Sequence, residues 1–375
     1  MTIILIQLAI FAAGVWLRGF TPDLTGTEKP MDIAFLSSSA ITTVMPPADP
    51  WFAGKPINYY ALGYIVWGAI SRMSGVPPTI AFNLAIPTLL AFAAVGAGGV
   101  AWNAVRGSLG RRLGVVSAVS AGFLLAFAGN LWAPAQLLRH GQAMIGAWWW
   151  DGAVGIGWRS SRIVCDGPRD GAACAFPSVE TINEFPFFSF LLGDLHPHVM
   201  ALPVTIAVVA VALSIAMRSS GLERRDRIPT WLIVAYGVLA GSLYPLNSWD
   251  LPTYLGLIVI TLCVFGIRGK QWLTDSAVLV VSAIVAWLPF WLRYDPPTGL
   301  AGDQHPETIS RIPVLRTIAA TIGLHFGDRT SLTEFLTIFG VPVAIFILFL
   351  LTTPEALRRP AMGRGQLVAF VGFLL

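Results

Sequence analysis

Charged residues are scarce in this sequence, and their scarcity argues against a soluble fold. Of the 375 residues only 12% are Asp, Glu, Lys or Arg, about half the fraction that is usual in soluble domains. Hydrophobic residues make up 55% of the chain, and the mean hydropathy is +0.70. Apolar runs of about 20 residues recur from end to end. We therefore predict an all-α fold, a polytopic transmembrane helical bundle, and no nucleic-acid partner.

Cysteines and nucleotide-binding motifs are also in short supply. The chain has three cysteines, too few for a disulfide scaffold. Cys165 and Cys174 flank a polar loop and could be bridged if that loop faces an oxidising compartment, whereas Cys263 lies in an apolar run. Walker loops, glycine-rich dinucleotide fingerprints, Cys-x-x-Cys pairs and Gly-x-Ser-x-Gly elbows are missing. We therefore expect no nucleotide cofactor.

Eight apolar runs predict transmembrane helices, and a ninth run is unfinished. The eight runs cover about residues 3–20, 79–104, 113–133, 199–217, 230–246, 252–267, 272–292 and 333–351. Residues 57–73 are shorter and amphipathic, which predicts a helix along the membrane interface. Since the sequence stops inside an apolar run, we expect residues 1–375 to form a single transmembrane domain truncated at its C-terminus.

The basic residues indicate the orientation in the membrane. If residues 57–73 lie on the surface and the N-terminus is cytoplasmic, every short basic loop is inside: 106–112, 218–227, 268–270 and 358–364. If residues 57–73 cross the membrane, the 106–112 loop and its successors are outside. The first arrangement is favoured. It predicts a multi-pass plasma-membrane protein whose segments 21–78, 134–198 and 293–332 form an external, active face.

The end of the second external segment, residues 183–198, combines carboxylates and histidines with apolar and aromatic residues. Asp194, His196 and His198 are spaced by two, so an extended or Pro-broken segment could turn them toward one point. Such a trio could bind a divalent cation, hold a phosphate or move a proton. The alternative is a helix-entry motif with locally bonded histidines. Since ionisable groups next to hydrocarbon are costly to bury, the functional interpretation is favoured.

Other candidate residues lie in separate external segments. Glu28 and Asp32 share a face if their segment is helical, so the pair could coordinate a cation, or one member could act as a base toward a hydroxyl. The alternative is a capped interfacial helix in which Lys29 pairs locally. Trp249 and Asp250 place an indole next to a carboxylate, which suits sugar rings, lipid headgroups or an interfacial aromatic belt.

Three tyrosines lie in the amphipathic segment 57–73. Tyr59, Tyr60 and Tyr64 could donate hydrogen bonds to phosphate oxygens, or they could form an interfacial girdle. The girdle is the favoured interpretation.

Several of these motifs together resemble the Chlor_Arch_YYY membrane proteins, a family of unknown function. The matching segments are EKPMDIAFL at 28–36, PPADPW at 46–51, INYY at 57–60, EFPFFSFLLGDLHPH at 184–198 and NSWDLPTY at 247–254. The sequence departs from the family's tyrosine run at its third position, where Ala61 stands.

That family in turn resembles a distant branch of the GT-C glycosyltransferases, which use polyprenyl-phosphate sugars. The resemblance implies a GT-C-like transferase with Glu28 or Asp32 as the general base. It also implies that Asp194, His196 and His198 hold a divalent cation, Mg²⁺ or Mn²⁺, or the phosphate of the donor.

The resemblance further implies a set of substrate-binding residues and the partners of the protein. The substrate-binding candidates are Lys29, Asn58, Tyr59, Tyr60, Glu184, Asn247, Trp249 and Asp250. An arginine of the 293–332 loop, Arg311 or Arg316, would help to grip the phosphate. The expected partners are a polyprenyl-phosphate-linked sugar and membrane lipid.

Two other functions fit parts of the pattern. A metal-dependent hydrolase of lipid phosphates could use the same Asp/His cluster with a metal-bound water. A transporter or flippase of lipid-linked sugars would need ionisable residues at mid-membrane depth, and the predicted helices carry few of them there. The transferase is therefore the favoured hypothesis.

Overall fold

Helices make up most of the structure, which is a computed structural model. It describes residues 2–140, 156–167, 169–170, 173–174, 179–220, 228–265, 271–294 and 330–352. The helices, numbered in chain order, are α1 (Thr2–Arg18), α2 (Lys29–Ile41), α3 (Ala61–Ser74), α4 (Pro78–Phe127), α5 (Trp132–His140), α6 (Ile156–Ser160), α7 (Pro186–Leu192), α8 (Pro197–Ser220), α9 (Thr230–Gly241), α10 (Leu243–Leu246), α11 (Asp250–Phe265), α12 (Gln271–Ala286), α13 (Leu288–Trp291) and α14 (Leu332–Thr352).

The described chain forms two compact units. The first unit contains residues 2–128 and the described part of 189–294, and the second contains the described parts of 129–188 and 295–359. In the second unit, the backbone N–H of Leu131 donates to the carbonyl of Thr337 at 2.8 Å, which ties the start of α5 to α14. This unit also holds four two-residue strands, which the sequence did not predict: β1 (Cys165–Asp166) pairs antiparallel with β4 (Val179–Glu180), and β2 (Arg169–Asp170) with β3 (Ala173–Cys174). Cys165 is disulfide-bonded.

Helix α4 is a hairpin of two helical arms. At Gly110 the backbone has φ 84° and ψ 172°, a conformation that glycine adopts without a steric penalty. A Cβ atom added at Gly98 would lie 2.9 Å from the carbonyl oxygen of Ala118, so the arms run side by side in opposite directions. This geometry confirms that two helices flank the basic segment 106–112, although the second arm ends at Phe127 rather than near residue 133.

Two of the described helices are long and apolar enough to cross a membrane. They are Pro78–Phe127 and Pro197–Arg218. Five others are apolar but shorter, Thr2–Arg18, Thr230–Leu246, Asp250–Phe265, Gln271–Ala286 and Leu332–Leu348. Large apolar side chains on α1, such as Ile3, Leu5 and Trp16, are more than half exposed, as expected of a surface that faces lipid. The multi-pass arrangement itself stays a prediction.

A helix is present in the predicted interfacial segment, and it packs against α2, a helix that the sequence analysis raised only as one option for the Glu28–Asp32 segment. Residues 57–60 precede α3, which begins at Ala61 rather than at residue 57. Its buried Tyr64 lies in a core with Phe35 and Leu36 of α2, Phe82 of α4 and Val199 of α8. A second apolar core joins α8 to α9, α11 and α12. These two cores hold the helix ends that carry the candidate site.

Candidate functional site

The candidate site of the first unit lies where α1 ends and α4 begins. Arg18, the last residue of α1, is buried, and its Nε donates to Oδ1 of Asn83 at 2.7 Å. Its terminal nitrogens donate to the carbonyl oxygens of Thr21, at 2.6 Å, and of Asp23, at 3.2 Å. These bonds fold the chain after α1 back toward α4 and so place the segment that leads to Glu28.

The loop before α8 is held against the same arginine. Gly193 has φ 69°, and a Cβ atom added there would collide with the guanidinium of Arg18. Only glycine combines this left-handed backbone with so close an approach. The turn directs the next residues, Asp194 to His198, toward the segment after α1.

Glu28 and His196 are in direct contact, although 168 positions separate them in the sequence. Oε2 of Glu28 lies 2.6 Å from Nε2 of His196, and the hydroxyl of Tyr59 lies 3.0 Å from the same nitrogen. The Glu28 side chain is 56% exposed and the His196 side chain 24%. A carboxylate open to solvent is therefore fixed by an imidazole that is mostly enclosed.

A chain of hydrogen bonds continues from His196 into the protein. Nδ1 of His196 lies 2.8 Å from Nδ1 of His198, and Nε2 of His198 lies 3.0 Å from Oγ of the buried Ser189. Because each ring nitrogen of a neutral imidazole either donates or accepts, one consistent arrangement runs from the Ser189 hydroxyl through both rings to the Glu28 carboxylate. Both nitrogens of His196 are thus engaged.

Next to this chain lies a buried pair of carboxyl groups, Asp32 of α2 and Asp194. The two groups are near enough that Asp194 acts electrostatically on Asp32. The hydroxyl of Tyr64 donates to Oδ1 of Asp32, and Oγ1 of Thr27 donates to Oδ2 of Asp194 at 3.0 Å. Within the described residues, the other two carboxyl oxygens are buried and receive no further hydrogen bond. Such burial favours the neutral, protonated form of a carboxyl group.

The burial of this pair decides which group carries the proton. Burial, reinforced by the neighbouring Asp194, raises the pKa of Asp32 to about 10. Asp32 is therefore neutral at pH 7. Burial also lowers the pKa of Lys29, and raises that of Tyr59, whose proton is further held by the nearby Glu28 charge. Arg18 and Lys29 are the basic groups that face Asp194.

A family model described as an uncharacterized membrane protein, DUF2298, matches residues 1–375. The chain belongs to the DUF2298 family. It is therefore a membrane protein, as the composition predicted. Comparison with curated proteins and comparison with solved structures each found no match.

In this DUF2298 protein most of the predicted substrate-binding residues lie near the Glu28–His196 contact. Tyr59 touches His196, and its ring lies 4.9 Å from that of Tyr60. The hydroxyl of Tyr60 accepts a hydrogen bond from Ser248 at 3.2 Å, which brings in the segment 247–250. Asn58 is exposed. The girdle interpretation is wrong for Tyr64, because its side chain is fully buried against Asp32.

Other predicted residues of the DUF2298 chain lie elsewhere. Glu184 belongs to the second unit, where its carboxylate pairs with Arg162 at 3.4 Å. Arg311 and Arg316 lie outside the described residues. Within the described ranges, no group of three or more His, Cys, Asp and Glu side chains is arranged to hold a metal ion. Binding of Mg²⁺ or Mn²⁺ by Asp194, His196 and His198 stays a prediction, and no step proposed below uses a cation.

Four residues of the DUF2298 site were missed by the sequence analysis: Arg18, Thr27, Tyr64 as a partner of Asp32, and Ser189. One signal was available for Arg18, because a charged residue at the end of an apolar helix is expensive to bury and here directly precedes an acidic segment. The hydroxyls of Thr27 and Ser189 had no such signal, since their partners are distant in the sequence.

We expect Asp32→Asn to flatten the pH dependence of stability. The pKa of Asp32 is about 10 in the folded state against 3.8 as the ordinary value. The stability that comes from its bound proton is fully present below about pH 4 and is lost progressively as the pH rises toward 10, by up to about 1.4 kcal/mol per pH unit. Asparagine can still accept the hydrogen bond from Tyr64 but does not titrate.

Thermal unfolding in detergent between pH 5 and 9 measures this effect. Asp23→Asn, at an exposed acid of the same segment, is the control and should keep the wild-type slope. A wild-type slope in Asp32→Asn would show that Asp32 does not hold a proton across this range.

Proposed function

We propose that this protein is a membrane glycosyltransferase that moves a sugar from a polyprenyl-phosphate donor to an acceptor at the external membrane face. The observation that carries the proposal is the contact of Glu28 with His196 beside the buried Asp32–Asp194 pair. Segments that are far apart in the sequence thereby supply one exposed base and a proton-holding acid pair. The GT-C-like relationship suggested by the sequence motifs agrees with this arrangement, and the relationship is part of the proposal.

Within the pair Glu28 and Asp32, we assign the general base to Glu28. Its carboxylate is more than half exposed and can reach an incoming hydroxyl, whereas Asp32 is completely buried. Asp32 also keeps its proton at neutral pH, because burial raises its pKa, so it cannot accept another. Thr27 instead holds Asp194 by a hydrogen bond beside Asp32, and so helps to position His196 two residues later.

The proposed reaction is a single displacement at the anomeric carbon of the donor. Glu28 takes the proton of the acceptor hydroxyl, the acceptor oxygen bonds to the anomeric carbon, and the bond from that carbon to the phosphate oxygen breaks. The leaving group is polyprenyl phosphate, which carries the electron pair away as negative charge. Tyr59, whose hydroxyl keeps its proton, and Lys29 are the nearby groups that can stabilise that charge.

The surroundings of the cluster suit a lipid-linked donor. Glu28 follows the apolar helix α1 after a short segment, and Asp194 lies three residues before the apolar helix α8, so a lipid chain in the bilayer and a polar headgroup at its surface can both be accommodated. The positive-inside distribution favours the external side for this end of the helices. Polyprenyl-phosphate sugars supply an activated sugar there without a nucleotide.

Release of polyprenyl phosphate by purified protein tests the proposal. We expect turnover of at least one glucosyl, mannosyl or galactosyl phosphoprenol in lipid nanodiscs when acceptor extract is present, with the sugar recovered on the acceptor. Sugar released to water at the same rate without acceptor would indicate a hydrolase instead. Movement of intact donor across the membrane without cleavage would indicate a flippase, and no turnover of any donor would contradict the transferase.

A further inference from the structure

A group of aromatic rings extends from the Glu28–His196 contact along one side of the first unit. The rings of Tyr59 and Tyr60 are 4.9 Å apart, and that of Tyr294 lies 5.6 Å from Tyr60. Tyr294 in turn stacks on Phe290 of α13 at 4.8 Å. All four side chains are partly exposed. These rings have no place in the proton transfer described above.

Polar groups gather around the hydroxyl of Tyr60, the central ring of this group. Ser248 donates to it at 3.2 Å, and the Tyr294 ring, which also carries a hydroxyl, lies beside the Tyr60 ring. On either side of Ser248, the Nδ2 atom of Asn247 donates to Oδ2 of Asp250 at 3.0 Å. Hydroxyl, amide and carboxylate groups thus border the aromatic faces.

Trp249 lies between Ser248 and Asp250 in the sequence, and its side chain is 62% exposed. It occupies the turn between α10 and α11 and leaves its large indole open, while its neighbours Ser248 and Asp250 are turned toward the protein. Exposing an indole leaves a large apolar surface in contact with water or headgroups, so a partner that covers it gains favourable contact.

We infer that Tyr60, Ser248, Trp249, Asp250 and Tyr294 form a binding subsite for the sugar ring of the donor. A pyranose has one apolar face of C–H groups, which stacks on an aromatic ring, and a rim of hydroxyls that bond to carboxylate, amide and hydroxyl groups. A prenyl chain would match the rings but could form no hydrogen bond with the polar groups beside them. The sugar matches both, so it is the ligand that the residues select.

This inference rests on the proposed function, because it assigns a binding place to the group that is transferred. Tyr59 links the two places: its hydroxyl bonds to His196 beside the proposed base, and its ring lies against Tyr60. A sugar held at Tyr60 would therefore have its anomeric carbon near Glu28. The polyprenyl phosphate would contribute affinity independently of this subsite.

Equilibrium binding of two matched classes of lipid, with and without a sugar, tests the inference. Full-length protein in nanodiscs is titrated with phosphoprenol and with glucosyl, mannosyl and galactosyl phosphoprenols of the same chain length. We expect at least one sugar-bearing lipid to bind about tenfold more tightly than the bare lipid phosphate, as the contact of one aromatic ring supplies. Trp249→Ala should remove that difference and leave bare phosphoprenol binding unchanged, whereas Trp249→Phe should restore part of it.

The matched control is Trp231→Ala, which removes an indole of similar exposure, 70%, from α9. It should preserve the preference for the sugar-bearing lipid. Equal affinity of wild type for all four lipids, an equal loss of both lipid classes in Trp249→Ala, or no binding of any lipid would each overturn the subsite. Sugar transfer with an unchanged preference in Trp249→Ala would overturn the subsite alone. A preserved preference without turnover would leave the subsite standing and contradict the transferase.

Discussion

Replacing Glu28 by glutamine is expected to lower donor turnover about 10²–10⁴-fold, the usual contribution of a general base. Glutamine has nearly the same shape and can still hydrogen-bond to Nε2 of His196, so the fold and donor binding should be preserved. What it lacks at neutral pH is the capacity to take a proton from the acceptor hydroxyl. The rate of polyprenyl phosphate release at saturating donor measures the effect.

Two companion variants make the Glu28 result specific. Asp23→Asn removes an exposed acid five positions earlier and should leave turnover unchanged. Asp32→Asn should retain most of the activity, because Asp32 is already neutral at pH 7. If Asp32→Asn loses activity while Glu28→Gln keeps it, the base is Asp32 and the assignment made here is reversed.

Gly68→Leu is expected to produce the largest loss of stability. A Cβ atom added at Gly68 of α3 would lie 2.8 Å from the backbone nitrogen of Ala40 and from two atoms of Ser39, both on α2. Backbone atoms of a packed helix cannot rotate away as a side chain can, so α2 and α3 would have to separate. We expect a loss of about 3 kcal/mol or more in the free energy of unfolding.

Thermal unfolding in detergent, with Gly99→Leu as the control, measures this loss. Gly99 is also a helical glycine, and a Cβ atom added there meets nothing within 4 Å. Leucine favours the helical backbone more than glycine does, so the control should be neutral or slightly more stable. Equal melting temperatures of the two variants would show that α2 and α3 do not pack as closely as described.

The helical architecture could be predicted because it follows from long apolar stretches. The predicted helix at residues 3–20 corresponds to Thr2–Arg18, and the one at 199–217 lies within Pro197–Ser220. The predicted helix at 230–246 is interrupted at Ser242, where α9 gives way to the short α10. Hydropathy does not register such a break, because the residues on both sides remain apolar.

Helix α2 is not apparent from the hydropathy of the sequence. Lys29–Ile41 lies in a segment with Pro30, Asp32 and three consecutive serines, which reads as a polar loop. Yet this helix is buried against α3, because Phe35 and Leu36 fill a core whose other side chains come from distant segments. Long-range packing of this kind leaves no periodic signal in a 13-residue helix.

The sequence predicted which residues form the candidate site better than it predicted the role of each residue. Glu28, Asp32, Asp194, His196 and His198 were selected because ionisable groups were set among apolar ones, and the structure brings all five together. Their division into one exposed acid and one buried pair depends on degrees of burial. Burial is a property of the folded chain. Here Tyr64 contacts Asp32 and Thr27 contacts Asp194, and both contacts join residues that are distant in the sequence.

The bend at Gly110 sets the length of the first arm of α4. Asn83, which binds Arg18 beside the reactive groups, and Gly110 at the bend are 27 residues apart. At 1.5 Å per residue the arm between them is about 40 Å long, close to the full thickness of a bilayer with its headgroups. If the arm crosses the bilayer, the arginines at the bend and the proposed base are in different aqueous phases. The arginines that hold the bend on one side of the membrane would then place Glu28 on the opposite side.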